Sequence, residues 1–246
     1  MGENTRIAWT NHTFNPWEGC QRVGPGCDHC YAESRDVRFT GGTLWGPRAA
    51  RRVMSDGNWA KPFSWDKKAG NDDNNNLVFC GSLCDWADNK APDGQRDRLW
   101  SVIRSTANLR WQLLTKRAGN IQRYLPDDWD NGYQNVWLGV TVENKKHGIP
   151  RIDILRDIPA VVRFLSVEPL LEDLGDVDLR GIHWVIVGGE SGNDHRTMER
   201  SWVISLREQC ADNGVPFFFK QWGGRGGDKG GCLIDLFEHK EFPHGQ

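Results

Sequence analysis

Three cysteines fall within eleven residues, Cys20, Cys27 and Cys30, in the spacing C-x6-C-x2-C. Gly19, Gly24, Pro25 and Gly26 flank them, so the segment is a tight loop and not a regular element. Three thiolates on such a loop can hold an iron–sulfur cluster and leave one iron without a protein ligand. The same residues allow a second chemistry, because Cys27 and Cys30 could join Cys80 and Cys84 in a four-thiolate zinc site. Residue types and spacing alone leave the two open. The seven histidines show no H-x3-H or H-E-x2-H spacing, so no histidine metal site is expected. Seven cysteines is an odd number, and their clustering in a reducing compartment favours ligation over disulfides.

A loop of this kind must be mounted on something rigid. Residues 7–16 read as a first strand stopped by Pro16, and Tyr31 to Phe39 as a helix after the loop. Six short apolar runs follow: 77–80, 111–115, 136–142, 161–167, 184–187 and 216–219. Near-continuous apolar strands suit a parallel sheet covered on both faces. Helical stripes separate most of them: Leu99, Val102, Ile103 and Thr106; Ile121, Tyr124 and Leu125; and Val203, Leu206 and Cys210 behind an N-cap at Ser201. The alternation predicts an α/β fold, either a (β/α) barrel or a doubly wound sheet, over one domain of 1–246. Residues 40–76 are expected to be an irregular insertion with a solvated polar tract at 71–76, and 223–246 a Gly-rich tail packing back across the barrel. Several of the 13 Trp and 28 Gly sit beside strand ends, where pockets form.

In parallel βα folds the functional groups gather at the carboxyl ends of the strands. Here those exits carry Ser82, Cys84 and Asp85; Lys116 and Arg117; Glu143 and Asn144; Glu168; Gly188, Gly189 and Glu190; and Lys220. One polar strand end is ordinary, whereas six in succession predict a site. Cys84, Lys116 and Lys220 are the candidate catalytic groups, although a small buried hydrophobe is the commoner role for a cysteine such as Cys84. Cys210 reads as core, and Cys232 has no assigned role. Arg48, Arg51 and Arg52 could grip a phosphate, but three arginines in a loop are more often a solvated basic face.

The ordered motifs Thr13-Phe14-Asn15-Pro16, Gly19-Cys20, Gly26-Cys27, Cys30-Tyr31-Ala32-Glu33, Leu114-Thr115-Lys116-Arg117, Val142-Glu143-Asn144, Glu168-Pro169-Leu170, 184–192 and 217–223 span nearly the whole chain. Together they resemble the phage-associated three-cysteine-motif family of radical-SAM-like proteins, most of which are uncharacterised. The resemblance implies a partial (β/α) barrel of about six to seven mainly parallel strands with an N-terminal cluster-binding loop. It implies a [4Fe–4S] cluster on Cys20, Cys27 and Cys30, with S-adenosylmethionine (SAM) on the open iron. Reductive cleavage of SAM would give a 5′-deoxyadenosyl radical that abstracts hydrogen from a substrate. It further implies that His29 lies near the adenine, that Tyr31 also contacts the cofactor, and that Gly188, Gly189 and Glu190 resemble the triplet that binds the SAM amino group. Ser82, Glu143 and Glu168 are equal candidates for SAM contacts. Three departures are visible: the first cysteine gap is six residues instead of three, His29 stands where the superfamily usually has an aromatic, and the Gly-Gly-Glu follows the sixth strand instead of the second.

By the same resemblance the substrate is a small molecule, nucleotide or nucleic-acid base, and the electron donor a flavodoxin or ferredoxin. A non-catalytic binding protein stapled by zinc, and an iron–sulfur redox protein that does not use SAM, are the alternative functions. A formal charge of −2 gives no global field for nucleic acid, leaving only a local patch. No apolar run approaches membrane-spanning length and residues 1–6 form no leader, so a cytoplasmic protein without a membrane partner is expected.

Overall fold

The computed structural model describes residues 2–70 and 75–243. Positions 71–74 of the polar tract lie outside them. Asn76, expected in solvent, is buried, and its carbonyl accepts Arg110 N at 2.9 Å. Seven strands share one sheet: β1 (His12–Phe14), β4 (Leu77–Cys80), β5 (Arg110–Thr115), β6 (Val136–Thr141), β7 (Val162–Val167), β8 (Trp184–Gly188) and β9 (Phe217–Gln221). Their order in the sheet is β1-β4-β5-β6-β7-β8-β9, so it never reverses. That is the connectivity of a partial (β/α) barrel, not of a doubly wound sheet. The pairs β1–β4, β4–β5, β7–β8 and β8–β9 are parallel.

Two compact units emerge from the contacts within the chain. The first comprises Met1–Arg22, Ala32–Leu138 and Pro159–Val161. Its core is aromatic: Trp9, Trp17, Trp59, Trp65, Trp86, Trp100 and Trp111 are buried. Phe14 meets Trp59 and Trp111 edge to face at 5.2 and 5.5 Å, a favoured geometry for ring quadrupoles. These tryptophans therefore build the core instead of lining a pocket. The strand expected over 7–16 shortens to β1, and Trp17–Glu18 (β2) pairs antiparallel with Arg52–Val53 (β3). Residues 40–76, expected to be irregular, also hold the helices α2 (Asp56–Trp59) and α3 (Lys61–Ala69). α3 escapes a periodicity reading because only Pro62, Trp65 and Ala69 face inward among charged neighbours. The helix α1 (Tyr31–Thr40) forms where expected, and α4 (Gln95–Arg104) buries Leu99, Val102 and Ile103 as its stripe requires. A single turn, α5 (Ile121–Tyr124), follows β5.

The second unit comprises Val23–Tyr31, Gly139–Ile158 and Val162–Gln246. Asn144 caps α6 (Lys145–Arg156), its side chain accepting His147 N at 2.9 Å. No stripe announces α6, because Gly148 and Pro150 interrupt it. Gly148 is required there: a Cβ would lie 2.7 Å from Val142 Cα. The last helix, α7 (Arg200–Asp212), buries Val203, Leu206 and Cys210, with Glu199 instead of Ser201 in the N-cap position. Beyond β9 the glycine-rich stretch is a closed turn, held by Gly223 N to Lys229 O and Trp222 N to Gly231 O. A short hairpin follows, β10 (Leu233–Ile234) with β11 (Phe237–Glu238). The tail then runs antiparallel along β9, Phe219 N donating to His239 O and Glu241 N to Phe217 O. Among the described residues no helix is long and apolar enough to cross a membrane.

Candidate functional site

In the first unit the site is organised by Asn15, the residue after β1. Its side chain is fully buried, accepting Leu83 N at 2.7 Å and donating to Ser82 Oγ at 2.9 Å. Cys84 Sγ donates weakly to the same Asn15 oxygen, at 3.7 Å. Asn15 thus fixes the turn after β4, where Gly81 takes φ +103°. Gly19 N bonds Leu83 O, which ties the cysteine segment to that turn.

Cys20 faces Arg117 at the exit of β5, whose Nη1 and Nη2 lie 3.5 and 3.6 Å from Sγ. Arg117 also donates to Asp85 Oδ2 at 2.8 Å and to Gln21 O at 3.0 Å. Asp85 in turn accepts Thr115 Oγ1 and the backbone N of Lys116. Asp88 closes the network on buried Arg51 at 2.8 Å. Arg51 is therefore structural and grips no phosphate. Burial and the nearby Asp85 push the Cys20 thiol up to about 12, while Arg117 pulls the other way. Burial also raises Cys84 well above the usual thiol range, and Cys20 and Cys80 lie within electrostatic reach of it.

In the second unit Pro25–Cys27 form a 3-10 turn, with Cys27 N bonded to Gly24 O. Glu143, fully buried, abuts it: a Cβ on Gly26 would lie 2.9 Å from Glu143 Cγ. Arg151 neutralises Glu143 with two N–H groups and also donates to Thr141 O at 2.7 Å. His29 Nδ1 lies 2.8 Å from Glu190 Oε2. Glu190 also accepts the backbone N and side chain of Arg196, and Arg196 reaches on to Pro25 O at 2.9 Å. Burial would raise the Glu190 carboxyl, but the Arg196 and His29 hydrogen bonds outweigh it and hold it at about 2.

At the neighbouring strand exits Lys220 Nζ sits 2.8 Å from Glu168 Oε1, and Ser166 Oγ 3.2 Å from Glu168 Oε2. Gly188 leaves room for that carboxylate, since its Cβ would stand 3.0 Å from Glu168 Oε1. Gly189 admits no side chain, because a Cβ would lie 1.8 Å from Trp222 O.

The expected residues therefore fall into local sets: Cys20, Ser82 and Cys84 around Asn15 and Arg117; His29 with Glu190; and Glu168 with Gly188 and Lys220. Tyr31 is exposed, and Lys116 is half-buried. None of the seven cysteines is in a disulfide; Cys20, Cys27, Cys30, Cys84 and Cys232 are partly accessible. Among the described residues no group of three or more His, Cys, Asp or Glu side chains is arranged to hold a metal ion. Arg151 and Arg196 escaped the sequence reading as site residues; Arg117 entered it only as a strand-exit residue and Asn15 only within a motif. The available signal was unpaired acidic residues at strand exits, each of which needs a cation once buried. No curated protein and no solved structure matches the chain. A family model does match, over residues 4–243, and the chain belongs to that family, described as a protein of unknown function, DUF5131.

Proposed function

We propose that this protein is a radical SAM enzyme whose [4Fe–4S] cluster is held by Cys20, Cys27 and Cys30. The observation that carries the reading is three partly accessible cysteines within eleven residues, none in a disulfide, with Cys27 ending the Pro25–Cys27 turn. The donor types suit such a cluster, since three thiolates leave one iron open, and the Arg117 guanidinium at Cys20 Sγ suits an anionic sulfur. One-electron reductive cleavage is the chemistry that cluster and SAM would supply together, with a flavodoxin or ferredoxin as donor.

The chain's own residues orient and exclude water. Arg117 holds Cys20, and Glu190 with Arg196 holds the 25–29 turn from a strand exit. In this reading Glu190 positions the loop instead of binding SAM, because its oxygens are taken by Arg196 and His29. Glu168 and Lys220 present a carboxylate and an ammonium suited to the zwitterionic methionine end of SAM. The substrate is a nucleotide, a nucleic-acid base or a related metabolite, by analogy with the resembled family.

Anaerobic reconstitution should give a brown protein with about four irons per chain. With a reductant it should convert SAM to 5′-deoxyadenosine, and Cys20→Ala should abolish the conversion. A colourless protein holding one zinc, or a reducible cluster that leaves SAM intact, would sink the proposal.

A further inference from the structure

The face carried by α1 and β3 combines exposed arginines with exposed aromatic and aliphatic side chains. Of the ten residues of α1 only Ala32 and Asp36 are buried, whereas Val37 and Phe39 are 62% and 65% exposed. The Arg35 and Arg38 guanidiniums flank the Phe39 ring, 5.4 and 5.2 Å from its centroid. Behind this face Glu18, 1% exposed, accepts hydrogen bonds from both Arg35 and Arg52. A buried carboxylate needs a cation, but one guanidinium would neutralise it. Glu18 instead gathers two, each about half exposed, and each guanidinium has five N–H donors. A cationic pair with outward donors is left at the surface, and Arg38 and Arg48 stand exposed in the same segment.

The choice of cation is also specific. Residues 1–60 contain seven arginines and no lysine. A face that needed only charge for solubility could use either, whereas planar arginine gives bidentate phosphate contacts and stacks on rings. Phosphate-binding guanidiniums beside a solvent-facing ring form the pattern of a single-strand platform. The net charge of −2 means that attraction would be local to this face.

We infer that α1 and β3 form a binding surface for single-stranded nucleic acid. Arg35 and Arg52 take backbone phosphates, and Phe39, flanked by Arg38, stacks a base. The surface is formed by these residues whether or not a cluster is bound. It rests on the radical SAM reading only for the further step that this nucleic acid is the substrate.

The full-length chain, with or without metal, is titrated into labelled single-stranded DNA or RNA of about 20 nucleotides, with fluorescence anisotropy as the readout. We expect binding at about 50 mM salt that weakens linearly with the logarithm of salt concentration. Arg38→Gln with Phe39→Ala alters only exposed groups and should weaken binding about tenfold or more. It should also lower the salt slope by about 0.7. Arg35→Gln with Arg52→Gln should weaken binding as well; should that variant misfold by stranding Glu18, the first decides. No binding at low salt, equal affinity in the Arg38/Phe39 variant, or equal competition by polyglutamate would each overturn the inference. SAM cleavage is assayed separately, so either proposal can fail alone.

Discussion

At the scale of single residues most of the buried acids meet an arginine: Glu18, Asp85, Asp88, Glu143 and Glu190 each do, whereas Asp36 is held by Thr40 and Leu44 N. Arg117 joins Asp85, Gln21 O and Cys20, and its side chain is 7% exposed against 8% for Asp85. Removing one partner of a buried pair leaves an uncompensated charge, which costs about 3 kcal/mol or more. Arg117→Met should therefore destabilise the protein by about that amount in urea unfolding. Arg117→Lys should recover only part of it, because one ammonium cannot serve Asp85, Gln21 O and Cys20 together. Equal stability of wild type and Arg117→Met would show that the network is not load-sharing. Glu143 illustrates what was legible. Its strand-exit position was readable, but its partner Arg151 sits eight residues on, in a helix whose glycine and proline erase the usual stripe. An arginine in such a stretch reads as solvent-facing until the fold turns it inward.

At the scale of elements, two strands make opposite uses of a titratable group. β8 delivers Glu190 to the cysteine turn, with a carboxyl at about 2 against an ordinary 4.5. Its contribution is present above pH 4.5 and is lost as pH falls towards 2. Glu190→Gln should cost about 2 kcal/mol near neutrality, the worth of a hydrogen-bonded charge. The gap in thermal midpoint between wild type and variant should close across that acid window. A gap independent of pH would place the effect in packing.

β1 loses stability in the same direction, as pH falls, but in a higher pH window and through a group held neutral instead of charged. His12 is buried, stacked on Trp65 at 4.5 Å, with Nε2 on Asn75 O at 3.3 Å and, among the described residues, no partner for Nδ1. Burial lowers its pKa; Asn75 O and Glu3 act against that, and Lys68 adds to it. The unfolded chain takes up a proton near pH 6.5 that the folded chain refuses, so stability falls as pH drops below 6.5. His12→Phe keeps the stack and should lose about 1 kcal/mol at pH 8. That deficit should shrink or reverse by pH 5 in denaturant titrations. The strands were legible from their apolar runs because both faces are covered. β1 was expected to be longer, since Trp9 and Ala8 read as strand although the chain turns there, Thr10 N bonding back to Ile7 O.

At the scale of the whole molecule, an open parallel sheet has two edges, and unpaired edges invite pairing with other chains. Strand–helix alternation made the α/β class readable, but not what happens at the edges, because covering segments carry no periodicity. At one edge Thr13 N in β1 donates to Gly2 O at 3.2 Å. At the other, residues 239–241 run along β9, and Trp184 Nε1 donates to Glu241 O at 2.8 Å. Phe242 lies against Trp184 and Phe218, 5.2 and 5.4 Å between ring centroids, and Glu241 accepts Phe217 N. The tail therefore satisfies β9 backbone groups and covers aromatic surface at once. Ending the chain at Leu236 would bare both. Each aromatic pair is worth about 1 kcal/mol beyond its burial, and each lost backbone bond about as much. The shortened chain should melt several degrees lower and form aggregates whose size distribution, followed by light scattering, grows with protein concentration. Phe242→Ala, which keeps the backbone pairing, should lower the midpoint without aggregation. If both variants aggregate alike, buried aromatic surface and not the strand edge is what the tail protects.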